Sequence, residues 1–199
     1  MSAKSSQSPL PTPATFQDVL AIPEESRRHE VLDGELVEKE VSSGKHGVAS
    51  CAAGGLFSPF RRAPNGPERP GGWWILVDVT IVLAPHQTVR PDLAGWRRER
   101  MPSPPEGYPQ YLRPDWVCEL SSDGDARRRD GIRKRHIYAD HGIPHYWLVD
   151  LENETLTVLR LMSGGYQQIL TAGRPDRVRA EPFDALELQI GVLFGDDGD

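Results

Sequence analysis

Cysteine is scarce: the 199 residues contain two, Cys51 and Cys118, well separated and each in apolar surroundings. That pattern excludes a disulfide scaffold or a cysteine-based zinc site and predicts two reduced core thiols. Long apolar runs are missing as well. No stretch approaches the ~20 residues a membrane helix needs, and the N-terminus carries no signal-peptide-like apolar region. A cytoplasmic protein with no membrane partner is the expectation. No glycine-rich phosphate loop is present, because the Gly-Gly pairs starting at 54, 71 and 164 lack the strand, helix and lysine around them. His136, Asp140, His141 and His145 crowd one stretch but include neither an H-E-x-x-H pattern nor a cysteine pair, so they read as surface and cap residues. Positive charge is not in excess either. A net charge of −6 disfavours a protein that coats nucleic acid indiscriminately.

The charge that is present is clustered. Arg127, Arg128, Arg129, Arg133, Lys134 and Arg135 form one basic run, and Arg97, Arg98 and Arg100 form another. Each is either a solvated face or a set of phosphate contacts.

Residues 1–13 are rich in Ser, Pro and Thr and read as a disordered tail; 14–195 read as one domain and 196–199 as an acidic tail. Thr15 is placed to cap a helix through Leu20. Two strands joined at Asp33-Gly34 fill residues 30 to 41, since Asp-Gly favours a tight hairpin. Val48, Cys51, Ala52, Leu56 and Phe60 give a helical pattern from His46 to about Phe60. One strand is expected from Trp73 to Leu83, a buried strand at 146–149, and further strands at 155–162 and 166–170. Residues 186 to 194 read as a last amphipathic segment, and Trp73, Trp74, Tyr146 and Trp147 as core. The order of elements predicts an α/β fold with a mixed sheet flanked by helices.

Two carboxylates stand out against this background. Glu119 interrupts the apolar run Val117 to Leu120, and an ionised carboxylate in a buried strand is costly unless a cation or partner compensates it. Asp92 follows Pro91, which holds Arg90 extended and suits a strand end. On adjacent strands, about 4.8 Å apart, the two carboxylates are able to share one hard cation. Asp115, after Pro114, is a weaker candidate, because four residues of strand hold it roughly 13 Å from Glu119. Ser121 shares a strand face with Glu119, where a lysine would complete a Glu-x-Lys arrangement. A helix over 124–141 aligns Asp130, Lys134 and Tyr138 at i, i+4, i+8, so Lys134 reaches back as the replacement cation. Glu30 and Glu35 in the hairpin are further carboxylates that read as a polar strand face. The Asp130/Lys134 pair by itself is an ordinary helix ion pair worth about 0.3 to 0.5 kcal/mol.

Asp33-Gly34-Glu35, His46, Arg90-Pro91-Asp92, Glu119-Leu120-Ser121, the Asp130/Lys134/Tyr138 helix and Gly142 to Asp150 together resemble the Uma2 family. Its members are restriction-endonuclease-like proteins of the PD-(D/E)xK nuclease superfamily in which the lysine has moved from strand to helix. The resemblance covers roughly residues 15 to 195. It implies a restriction-endonuclease-like mixed β-sheet fold, with Asp92, Glu119 and the Leu120 carbonyl holding Mg²⁺ or Mn²⁺ and Lys134 acting on the reacting phosphate or water. Asp130, Tyr138, Ser121, His46 and Glu35 would support them. DNA is the implied partner, and cutting both strands would call for a homodimer. Ser122, where the family usually has proline, and Gly131, inside the expected helix, depart from the pattern. The competing reading is a noncatalytic protein that kept the nuclease fold for binding nucleic acid or protein, in keeping with the acidic net charge and with Ser121 in the lysine position.

Overall fold

The computed structural model describes residues 12–198 apart from 40, 42, 63, 67, 123 and 125–128. The tail expected over 1–13 therefore lies almost wholly outside the described residues, as do Arg127, Arg128 and Asp199.

Helix α1 (Phe16–Leu20) opens on Thr15 in a capping box: the Thr15 hydroxyl accepts from Gln17 N–H while Asp18 accepts from Thr15 N–H at 2.7 Å. Strands β1 (His29–Leu32) and β2 (Glu35–Glu38) pair antiparallel, with Leu32 opposite Glu35. Asp33 and Gly34 both have positive φ, 51° and 75°, as a tight two-residue hairpin requires. A Cβ on Gly34 would stand 2.7 Å from the Pro13 side chain, so both strain and crowding oppose substitution. Gly34→Ala is expected to lower unfolding free energy by about 1–2 kcal/mol in urea titration.

Helix α2 (Gly44–Leu56) and the short α3 (Ser58–Arg61) replace the single helix expected to run to Phe60. The buried stripe is Ala49, Ala53 and Phe57, one position away from the apolar pattern read in the sequence. Cys51, two residues after Ala49, consequently faces outward and is exposed; only Cys118 is a core thiol.

The expected strand over 73–83 is two strands in different sheets, β3 (Trp73–Val77) and β4 (Ile81–Ala84). The break falls at Asp78, with φ of 52°, whose N–H donates to the Asp92 carbonyl at 2.9 Å. The apolar run gave no sign of it because no glycine or proline punctuates it. β5 (Gln87–Val89) completes a four-stranded sheet in the order β2-β1-β5-β4.

The larger sheet adds β6 (Leu93–Arg97), β7 (Trp116–Ser121), β8 (His145–Asp150), β9 (Thr155–Met162) and β10 (Gly165–Gly173), in the order β10-β9-β8-β7-β6-β3. β7 and β8 are parallel and the other pairs antiparallel. A parallel pair needs a crossover, and the helical segment between β7 and β8 supplies it. β11 (Arg177–Val178) and β12 (Leu188–Gln189) form a small ladder. A 3-10 turn, Ile190–Phe194, follows and closes against α2.

Every residue of β7 is buried, and its alternation divides the core. Trp116, Cys118 and Leu120 face a cluster with Phe57, Phe60, Trp73, Trp147 and Phe183. Val117 faces the opposite cluster, built on Trp96, Ile137, Tyr138 and Tyr146. Glu119 and Ser121 share the Val117 face and are thereby aimed at the crossover. Among the described residues no helix is long and apolar enough to cross a membrane.

Candidate active site

The β6/β7 register pairs Leu93 with Cys118, so Asp92, one residue before β6, comes beside Glu119 and Leu120. The contact is direct: Leu120 N–H donates to Asp92 Oδ2 at 2.7 Å. Asp92 Oδ1 takes the Lys39 ammonium at 2.6 Å and His46 Nε2 at 3.0 Å. Asp92 is 5% exposed and its burial opposes ionisation, but Lys39 and His46 outweigh this and hold its carboxyl well below the usual carboxylate range.

The crossover differs from the regular helix expected over 124–141. Its described part is a π-helix, Arg129–Lys134, running into α4 (Arg135–Asp140). The Asp130 carbonyl accepts from the Tyr146 hydroxyl at 2.9 Å, a buried partner from outside the helix at the point where the ladder is wide. From here Lys134 does reach β7. Its Nζ stands 3.0 Å from Glu119 Oε1, 2.9 Å from Glu30 Oε1 and 3.6 Å from Asp130 Oδ1, with no exposure at all. Tyr138 donates to Glu119 Oε1 at 2.5 Å, and Ser121 Oγ donates to Asp130 Oδ2 at 2.7 Å.

Lys134 therefore serves three buried carboxylates, of which Asp130 also has a second cation, Arg129 Nε at 3.5 Å, and Glu30 Oε2 has no hydrogen-bond partner among the described residues. The surplus negative charge is felt at Glu119. Burial raises its pKa first, Lys134 opposes this, and Asp130 and Asp92 add to it, leaving Glu119 pushed up to about 8. The pKa of Lys134 is raised too, but by the opposite balance: burial would lower it, and the surrounding carboxylates outweigh burial.

A cavity of about 530 Å³ opens over these groups, lined by Lys39, His46, Asp92, Glu119, Arg129 and Asp130 among others. Leu120 also lines it. Lys134 does not; its ammonium stays in the buried cluster, 3.0 Å from Glu119 Oε1. Glu35 is also away from the site. It stands exposed on edge strand β2, paired with Arg133 at 2.7 Å, while Glu30 on the inner strand β1 occupies the position inside. Lys39 was not anticipated. Between Glu38 and Glu40 it reads as a solvated charge, and the partners that bury it, the Arg90 carbonyl at 2.8 Å and Asp92, lie some fifty residues on.

The basic runs divide. Arg97 and Arg98 lie over the Trp73 and Trp74 rings at 4.6 and 3.7 Å, and Arg100 binds Asp115 Oδ1 at 2.5 Å. That run is engaged with partners within the chain, and Asp115 with it. Arg28, Arg90 and Arg129 line the cavity instead. Among the described residues no three His, Cys, Asp or Glu side chains converge to cage an ion unaided. Asp92 and Glu119 are the pair offering carboxylate oxygen from adjacent strands.

Fold and site together define a restriction-endonuclease-like α/β protein, with paired carboxylates on adjacent strands and a lysine returned from the following helix. The model of one family, "Uma2: Putative restriction endonuclease", matches residues 16–192, and the chain belongs to that family. A similar solved structure is described as a "putative nuclease belonging to DUF820" from Anabaena variabilis. It is 21% identical, covers 92% of this chain and 98% of its own, and has a TM-score of 0.69. The shared fold is what that likeness establishes. None of the curated proteins matches the chain.

Proposed function

We propose that the protein is a Mg²⁺- or Mn²⁺-dependent endonuclease that hydrolyses phosphodiester bonds in DNA. The observation that carries this reading is the pair Asp92 and Glu119, both opening onto one cavity from a buried cluster with more carboxylates than cations. A hard divalent cation suits that surplus, because Mg²⁺ binds through one or two carboxylates and completes its shell with water and phosphate oxygen. Asp92 and Glu119 would hold it, with Leu120 alongside.

When bound, such an ion polarises the scissile phosphate and lowers the pKa of the attacking water. The protein's own groups do the rest. Lys134 and Tyr138 fix Glu119 through Oε1, and Leu120 N–H fixes Asp92 through Oδ2. Arg28, Arg90 and Arg129 on the cavity wall, paired with Glu38, Asp78 and Asp130, are the cations that would meet the phosphate backbone by exchanging or sharing those partners. Fixed donors aimed at developing negative charge are worth most where water is excluded.

Cleavage of supercoiled plasmid in Mg²⁺, Mn²⁺ or EDTA tests the reading. Nicking or linearisation that needs the ion, and disappears in Asp92→Ala, is the expected result. No cleavage under any of these conditions, with the protein folded, would favour a noncatalytic binding role.

A further inference from the structure

Lys39 occupies a curious position for a surface-sequence lysine. Its ammonium has gathered an oxygen cage: Asp92 Oδ1 at 2.6 Å, the Arg90 carbonyl at 2.8 Å, and Asp78 Oδ1 at 3.8 Å. Carboxylate and carbonyl oxygens around one positive centre are the surroundings a hard cation takes. Asp92 itself lines the cavity; its Oδ2 is engaged by Leu120 N–H, and the cage sits on its Oδ1, which also meets His46 Nε2 at 3.0 Å. An ion about 2.1 Å from that oxygen would meet the ammonium at only a few ångströms, and like charges at that distance repel strongly in a buried site.

The structure offers the ammonium somewhere to go. Asp78 lies on the cavity wall with its side chain about half exposed, at 48%, and its Oδ1 3.8 Å from the Lys39 ammonium. Its Oδ2 is held by Arg90 Nη2 at 2.5 Å, which leaves Oδ1 on the Lys39 side.

We propose that Lys39 is a built-in cation that holds the divalent-metal seat on Asp92 and yields it by shifting onto Asp78. Lys39 is thus a determinant of metal affinity. The inference rests on the metal-dependent reading above.

Calorimetric titration with Mn²⁺ tests it without recourse to activity. The proteins compared are wild type, Lys39→Met, Asp78→Asn and the double variant, with Asp92→Asn identifying the site. Lys39→Gln serves as a second probe should the Met variant fold poorly. Removal of Lys39 is expected to tighten Mn²⁺ binding about tenfold, or to create measurable binding where wild type shows none. Asp78→Asn is expected to weaken binding several-fold in the wild-type background and to have little effect once Lys39 is gone, because its role is to receive the ammonium. A purely electrostatic Asp78 would weaken binding equally in both backgrounds, and that result overturns the proposal. So does unchanged or weaker binding in both Lys39 variants while wild type binds in an Asp92-dependent way; the metal reading then survives alone. Absence of binding in every protein would remove both.

Discussion

Lys134→Met is expected to cost about 3–5 kcal/mol of unfolding free energy, the largest stability loss we foresee for any single side chain in the protein. Lys134 is fully buried and is the ammonium between Glu30, Glu119 and Asp130. Its removal leaves Glu30 and Glu119 out of water without their cation, beside an Asp130 that keeps Arg129. Such a group either ionises at high cost or takes up protons at neutral pH. Against a typical total of roughly 5–15 kcal/mol, the variant would be marginal. Urea titration near neutrality measures the loss. Because the penalty comes from unpaired carboxylates, it should shrink at mildly acidic pH and in the double variant Lys134→Met/Glu30→Gln. A loss that ignores both changes would mean that the lysine's packing, not its charge, is what matters. Glu30 belongs in this account because its Oε1 also receives Arg90 N–H at 2.6 Å, tying the hairpin to the chain that presents Asp92.

Glu119→Gln should separate fold from function. Cleavage is expected to fall on the order of a thousandfold, measured on plasmid in Mg²⁺, since a neutral amide is a poor partner for a hard cation. Stability should move the opposite way, and pH sets by how much. The raised pKa of Glu119 means that the folded state binds its proton more tightly than the unfolded chain does. Its contribution to stability is therefore fully present below the unfolded carboxylate value, near 4.3, and is lost as pH rises through about 8. Glutamine mimics the protonated form at every pH. In the absence of divalent ions, the melting temperatures of variant and wild type should lie close together near pH 5. The variant should pull ahead as pH rises from about 5 towards about 8, and the gap should level off above that. Asp92 runs opposite: its lowered pKa supports the fold above the ordinary carboxylate range and that support fades in acid, so Asp92→Asn should destabilise at neutral pH. A Glu119→Gln variant that cleaves normally would remove Glu119 from the chemistry.

Much of the site was legible one residue at a time because strand geometry has few options. A carboxylate in the middle of Trp116–Ser121 must point to a buried face, and Ser121 must share it. The hairpin was legible for the same reason, since Asp33-Gly34 states its own turn. Helix α2 shows the limit. Its small residues, Ala49 and Ala53, are the inner ones, and a pattern built on the larger apolar side chains picked out the wrong stripe and turned Cys51 inward.

The sequence by itself determined the Asp33-Gly34 hairpin, the buried strand that carries Glu119 and the helical segment from which Lys134 returns, because these follow from local periodicity and turn chemistry; the break at Asp78, the split of the helix after Leu56 and the placing of β6 beside β7 did not. Only the tertiary structure decided which hairpin carboxylate is inside. β2 is an edge strand and leaves Glu35 in water, whereas β1, flanked by β2 and β5, carries Glu30 under Lys134. Only it drew Lys39 out of a charged stretch and onto Asp92, and turned the Arg97 to Arg100 run onto Trp73, Trp74 and Asp115. The physical reason is common to all three. A charged side chain takes its partner from whatever the fold brings within a few ångströms, and neither the partner nor the burial that gives the contact its strength is recorded in neighbouring sequence.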